Sequence, residues 1–289
     1  MRDVEDQRST AMMADRDLRG PLLTLGEYEA LRTARQSGES QCECSLDLGC
    51  STENVELSAE GWIRQGQLFP YLDACKDRTI YYWVDGSFEP VSRYTRALIK
   101  LVPTRWGPPT FEIDGIKMLP TAHISPYEDA QRKVELIQPR GKVILDCCGG
   151  LGYFAAWCVQ GGARRVLSYE KNPDVLWLRG LNPWSPAVDG VLSLSLGDIC
   201  EQIASLADAT VDAVLHDPPR IGIAGELYSQ VFYEQLARVL KPGGRLFHYT
   251  GSPNKLTSGR DVPNEIAKRL RKSRFVAELS GDGVLAIKR

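Results

Sequence analysis

Two rhythms of apolar and polar positions divide the chain. From about residue 55 to residue 118 the apolar positions come in short runs broken by turn residues: "TIYYWVDGSFEPV", "ALIKLV" and "TFEIDGIKML". Asp85-Gly86 and Asp114-Gly115 are hairpin-turn dipeptides between such runs. This predicts a small β-rich domain over residues 41–120. Residues 1–40 are polar apart from one predicted helix, "TLGEYEALRTAR", whose Leu25, Tyr28 and Leu31 share a face. A second helix is announced by "SPYEDAQRKVELIQP". Ser125 is placed to cap it, Pro126 to take its first position and Glu128 to complete a capping box, and Pro139 stops it.

Beyond that point strand and helix patterns alternate to the last residue. "KVILD", "RRVLSYE", "GVLSLSLGD", "VDAVLHD" and "GRLFHYT" read as strands, and "FVAEL" and "GVLAIK" as a closing pair. Between them, "YFAAWCV", "PDVLWLRGL", "YSQVFYEQLARVL" and "VPNEIAKRLRK" read as helices. Alternation of this kind predicts an α/β fold: a seven-stranded, doubly wound (Rossmann-like) sheet over residues 121–289, mostly parallel, with helices on both faces. Ligands of such sheets bind at the carboxyl ends of the strands.

Composition then narrows the function classes. The chain has 35 basic against 37 acidic residues, a net charge of −2, which argues against a nucleic-acid partner because such proteins show a basic excess or stripe. No stretch approaches the roughly 18 apolar residues of a membrane span, and the charged N-terminus lacks the apolar core of a signal peptide. The expected location is the cytoplasm, with no membrane partner; the oligomeric state is open, a homodimer included. Of eight cysteines only Cys42, Cys44 and Cys50 cluster, without the usual two-residue spacing or a nearby histidine, so no metal is expected.

The candidate chemistry lies at the predicted strand ends. "VILDCCGGLGYF" ends a strand on Asp146 and follows it with Gly149, Gly150 and Gly152, which let backbone turn sharply and approach a ligand. Glu170 ends the next strand, where a carboxylate can take both hydroxyls of a ribose. The loop reads G-G-x-G, so the dinucleotide fingerprint and the Walker-type phosphate loop are both absent. "LGDI" follows the third strand, "HDPPRIGIAGELY" the fourth, and "LKPGGRLF" leads into the fifth.

Five motifs in this order resemble the class I S-adenosylmethionine-dependent methyltransferases over residues 142–289. The resemblance implies S-adenosyl-L-methionine as cofactor. Asp146, Gly149, Gly150 and Gly152 would hold its amino-acid end, Glu170 its ribose, Asp198 and Ile199 its adenine, and Asp217 would stand near the reacting centre. Tyr127 and Tyr153 are candidates to face the sulfonium through their rings, and Lys171 and Pro218 adjoin these positions. "EIDGIKM", "GGLGYFA", "NPWS", "HDPPRIGIAGELYSQVFY" and "GGRLFHYTGSPNK…GRDVP" are further similar to a family of predicted methyltransferases best represented in archaea. That family also carries a β-rich N-terminal region, and its substrate is unassigned.

The loop after the fourth strand selects among reactions. Enzymes that methylate an exocyclic base amine resemble this chain in Asp-Pro-Pro but place an aromatic next, where this sequence has Arg220. Carbon-5 methylation of uridine requires a downstream cysteine nucleophile, and no cysteine follows Cys200. A small-molecule acceptor is therefore the first reading, with His216 as candidate general base, Asp217 orienting it and Tyr228 lining the pocket. Arg220, Glu226 and His248 are candidate substrate contacts, and Arg220 is also placed to pair with Glu226.

The rival enzymatic reading exposes the aminocarboxypropyl arm of the cofactor instead and releases methylthioadenosine. Polyamine, nicotianamine and azetidine-2-carboxylate synthases look like variations on this scaffold, and a covering N-terminal domain would suit the last of these. An RNA methyltransferase and a non-catalytic cofactor-binding module complete the alternatives; the intact glycine loop and Asp217 argue against the module.

Overall fold

The computed structural model describes residues 20–251 and 261–289; the N-terminal charged stretch and "SPNKLTSGR" lie outside the described residues. The chain divides into two units, Met1–Glu128 with Gly180–Trp184, and Asp129–Arg179 with Ser185–Arg289. In the first, β1 (Leu22–Leu23) precedes α1 (Leu25–Gln36), then β2 (Gln41–Cys44), β3 (Glu53–Leu57), β4 (Gly61–Arg64) and β5 (Gln67–Pro70). After these come β6 (Tyr81–Val84), β7 (Ser87–Pro90), β8 (Ser92–Tyr94), β9 (Leu98–Val102), β10 (Thr110–Ile113) and β11 (Ile116–Lys117). They form three small antiparallel sheets, ordered β1-β6-β7, β2-β3-β4-β5 and β11-β10-β9-β8.

Local chemistry explains the joints. Thr24 and Glu27 close a capping box that starts α1. The β6–β7 and β10–β11 hairpins turn on Asp85-Gly86 and Asp114-Gly115, with φ of 50° and 83° in the first and 48° and 76° in the second. Positive φ at both central residues matches the twist of the flanking strands. The unit's core gathers Trp62, stacked on Phe69 at 4.6 Å, with Leu23, Leu31 and Val55. Cys42 and Cys44 alternate inward from β2 into this core, and burial pushes the Cys44 thiol up to about 12.

The second unit carries the seven-stranded sheet that the alternation predicts. Its elements are α2 (Pro126–Ile137), β12 (Val143–Asp146), α3 (Tyr153–Gln160), β13 (Arg165–Glu170), α4 (Pro173–Leu181), β14 (Leu192–Leu196) and α5 (Ile199–Gln202). There follow β15 (Val211–His216), α6 (Gln230–Val239), β16 (Leu240–Tyr249), α7 (Val262–Lys272), β17 (Phe275–Ser280) and β18 (Gly283–Lys288). The strand order is β14-β13-β12-β15-β16-β18-β17. Pairing is parallel as far as β16, and the β17–β18 hairpin joins it antiparallel. The order reverses between β12 and β15, which makes their carboxyl ends the switch point where a doubly wound sheet takes its ligand. Strands β12 and β15 are buried almost throughout, as expected of strands covered on both faces. No helix among the described residues is long and apolar enough to cross a membrane.

Candidate active site

Three carboxylates stand at the ends of three adjacent strands. Asp146 closes β12, Glu170 closes β13, and Asp198 follows β14 as the N-cap of α5. The glycine loop begins beneath Asp146. Gly150 has φ +49° and Gly152 φ +84°, in the left-handed region that glycine alone enters without cost, and Gly152 caps α3. Its space is taken as well. A Cβ on Gly152 would stand 2.6 Å from Cζ of Arg179, and one on Gly149 would stand 2.5 Å from Oγ of Ser168.

These contacts outline a buried polar layer under the loop. Ser168 Oγ donates to Asp146 Oδ2 at 2.8 Å, and Arg179 Nη1 donates to Ser168 Oγ at 3.5 Å. Asp146 Oδ1 and Arg179 Nε and Nη2 are buried with no hydrogen-bond partner among the described residues. Burial pushes the Asp146 carboxyl up to about 6, against the Ser168 hydrogen bond and the Arg179 charge that favour the ionised form. Burial lowers Arg179 to about 10, so the guanidinium stays charged at neutral pH. Glu170 braces the loop: Oε2 accepts from Gly150 N and Oε1 from Asn172 N, both at 2.9 Å. The Lys171 backbone N–H also favours its ionised form, so about three of the carboxylate's four lone-pair sites are engaged. Tyr153 is buried at the start of α3. Burial raises the thiols of Cys147 and Cys148 well above their ordinary value, which removes them as nucleophiles.

Asp198 Oδ1 accepts from Cys200 N, and its Oδ2 lies 3.3 Å from Lys171 Nζ. Lys171 also reaches Glu226 at 3.4 Å, so Glu226 pairs with Lys171 and not with Arg220, which projects into solvent. The Ile199 side chain packs into the core, leaving only its backbone at the site. Tyr127 belongs to the first unit, where its ring lies 5.2 Å from that of Trp184.

The expectation for His216 needs correction. Consecutive strand residues point to opposite faces, and His216 follows Val214 into the core beneath α6 while Asp217 faces α2. His216 is 0% exposed; its Nε2 donates to the Leu227 carbonyl at 3.0 Å, and burial lowers it to about 4. A base must reach its proton, and this imidazole reaches only backbone. Tyr228 is buried likewise, its hydroxyl donating to the Pro219 carbonyl at 2.9 Å. His248 is sealed in the same layer. Its Nδ1 donates to the Tyr249 carbonyl at 2.8 Å, which leaves Nε2 to accept from Tyr233 at 2.9 Å. His216 and Tyr228 fasten the loop after β15 from below and His248 bonds within the same layer. The Tyr228 hydroxyl and both His248 nitrogens are engaged, and His216 Nδ1 is buried without a hydrogen-bond partner among the described residues. Pro218 is buried beside them at the head of the loop.

Asp217 does have a partner, one the sequence reading passed over. Lys133 of α2, 3% exposed, places Nζ 3.4 Å from Asp217 Oδ2 and 2.7 Å from Asp129 Oδ2. Burial pulls its ammonium towards neutrality, but the two carboxylates outweigh burial and raise it above the ordinary lysine value. Burial raises Asp217 in turn, against the charge of Lys133. Both missed cations leave a trace in the sequence. Lys133 falls on the apolar stripe Ala130, Val134, Ile137, and Arg179 on the stripe Val175, Leu178, each where a helix faces the sheet.

No family model matches the chain. A stretch of 134 residues is 34% identical to polyamine aminopropyltransferase 2 of Streptomyces coelicolor, 43% of this chain and 24% of that one. Among solved structures, spermidine synthase in complex with the transition-state analogue AdoDATO gives a TM-score of 0.52 at 16% identity, over 70% of this chain and 75% of that one. Spermidine synthase from Thermotoga maritima gives 0.50 at the same identity and coverage. These likenesses carry the fold alone, that of spermidine synthase. Over 199 residues, 68% of each chain, the sequence is 44% identical to the uncharacterized protein MJ1233 of Methanocaldococcus jannaschii, and the chain belongs to the family of that protein.

Proposed function

We propose that the second unit binds S-adenosyl-L-methionine and transfers its methyl group to a small-molecule acceptor. The observation that carries this reading is the unpartnered, fully buried Oδ1 of Asp146 beneath a glycine loop at the switch point, with Arg179 Nε and Nη2 also unpartnered. A buried carboxylate oxygen without a partner suits the ammonium of an amino acid. Asp146 and the Gly149–Gly152 loop would hold that end, Glu170 the ribose through its carboxylate, and Asp198 with the Ile199 backbone the adenine. The cofactor supplies a carbon made electrophilic by a positively charged sulfur. What the chain itself does is hold, exclude water and orient, and Asp217, kept in place by Lys133, is the carboxylate nearest the transferred group.

A second reading is favoured by the partial identity to polyamine aminopropyltransferase 2. In it the arm leaves the sulfur: the aminocarboxypropyl group of S-adenosylmethionine, by transfer or by closure to azetidine-2-carboxylate, or the aminopropyl group of the decarboxylated cofactor. The products separate the two: methyl transfer leaves S-adenosylhomocysteine, and arm transfer leaves methylthioadenosine. Incubation with S-adenosylmethionine alone, followed by mass spectrometry, is the deciding experiment. Methylthioadenosine above its spontaneous rate with a four-carbon amino acid beside it establishes the second reading. Bound, unspent cofactor refutes the closure to azetidine-2-carboxylate and directs the search to an acceptor. Calorimetric titration of wild type and Glu170→Ala tests the binding itself: the variant is expected to lose roughly tenfold or more in affinity, since buried charge-assisted hydrogen bonds contribute about 1.5–3 kcal/mol each. Equal affinity in the two proteins refutes the ribose assignment.

A further inference from the structure

Lys133 faces the sheet from α2 and is almost wholly enclosed. Its ammonium touches Asp129 at 2.7 Å and Asp217 at 3.4 Å, and lies 3.7 Å from the centroid of the Tyr249 ring and 5.6 Å from that of Phe154. Asp282, in the turn between β17 and β18, adds a further negative charge that acts on Asp217. Carboxylates on one side and aromatic faces on another are the means by which proteins hold an ammonium group taken from solution. The chain thus has a formed ammonium seat at the end of β15, filled by one of its own side chains.

We propose that Lys133 sets the charge class of the acceptor: its ammonium occupies the seat a protonated amine would need, so that the acceptor presents a neutral or anionic nucleophile and polyamines are turned away. The inference rests on the reading of Asp217 as neighbour of the transferred group. Its logic is specificity through repulsion. A second ammonium approaching Asp217 meets Lys133 at contact distance, and the carboxylates that would welcome it are already engaged. With the resident charge removed, Asp129, Asp217 and the Tyr249 face are left as an acidic, aromatic pocket of the kind that binds diamines.

The test compares the full chain with Lys133→Met, which keeps an unbranched side chain of similar length without charge. Calorimetry with 1,4-diaminobutane and spermidine as probes, and a parallel titration with S-adenosylmethionine, are run on both. Wild type is expected to show no diamine binding into the millimolar range. The variant is expected to bind at least about tenfold more tightly, the gain that one desolvated cation–π contact can supply. That gain should vanish in Lys133→Met/Asp217→Asn. Should Lys133→Met fail to fold, Lys133→Gln, which keeps a hydrogen-bond donor, takes its place. Micromolar diamine binding by wild type, or a folded variant with no gain, overturns the proposal. A diamine gain without S-adenosylmethionine binding in wild type overturns the cofactor assignment and leaves the seat standing.

Discussion

Gly152→Ala is the perturbation that probes the floor of the site most directly. The residue sits at φ +84° and ψ +16°, and a methyl group there costs about 1–2 kcal/mol from the left-handed backbone alone. The added Cβ also lands 2.6 Å from Cζ of Arg179 and 2.7 Å from its Nε and Nη2. An arginine on the surface would swing aside. This one is 2% exposed and shares Ser168 with Asp146, so the contact is an overpacking of about 1–3 kcal/mol. The two parts together predict a loss of about 2–5 kcal/mol, read by chemical denaturation. The double-mutant cycle with Arg179→Met separates them, because a flexible thioether can yield where the guanidinium cannot. In the Met background Gly152→Ala should retain only the backbone part, giving a coupling energy of about 1–3 kcal/mol. A loss below about 1 kcal/mol, or the same loss in both backgrounds, refutes the picture of Arg179 pressed against the loop.

Two further outcomes follow from the buried charges. If the Asp146 carboxylate receives the cofactor's ammonium, affinity should be highest where that group is ionised. With its carboxyl pushed up to about 6, S-adenosylmethionine affinity is expected to fall about tenfold between roughly pH 7.5 and pH 5, and Asp146→Asn to bind weakly with no such slope; a flat wild-type profile disproves the pairing. For His216 the pKa shift is opposite in direction, but stability likewise falls as pH falls. Its folded value is depressed to about 4 while the unfolded chain protonates near 6.5, so the unfolded state binds more protons between these values and stability falls as pH drops through that window, by up to about 3 kcal/mol. His216→Leu should remove this contribution from the stability–pH curve, and an unchanged curve would mean the imidazole is not sealed as described.

The legible parts of the fold are those where periodicity and chain direction agree. The helices "PDVLWLRGL" and "VPNEIAKRLRK" coincide with Pro173–Leu181 and Val262–Lys272, because each opens with a proline where helices tolerate it and carries one apolar stripe. Asp146 and Glu170 were readable because a carboxylate at the end of an apolar run can only sit at the rim of a sheet. Within the β-rich stretch, the individual strands of the sheet built from β2 to β5 were not readable. Its "QCEC" and "ENVEL" strands bury one or two side chains each, and so little apolar alternation is not distinguishable from loop. The same limit misplaced the loop residues. "HDPP" names two titratable neighbours, but which of them faces the ligand depends on strand register, and register is a property of pairing rather than of the local sequence.

That dependence also explains why the decisive cations escaped notice while the histidines drew it. A histidine at a strand end invites a catalytic role by its ordinary pKa, yet enclosure of His216 and His248 among Tyr228, Tyr233 and Phe232 drives both towards the neutral form. A lysine or arginine within a helix invites the opposite reading, a solvated face. Here the helix phase turns Lys133 and Arg179 inward, where each meets the carboxylates that the strands deliver: Asp217 for the first, Asp146 and Glu170 for the second. Burial makes those carboxylates costly to ionise; Lys133 favours the ionised form of Asp217, and the Ser168 hydrogen bond followed by the Arg179 charge favours that of Asp146. The site is therefore set by helices α2 and α4 as much as by the strand-end motifs, and a substitution in either helix should reach the ligand through a carboxylate it never replaces.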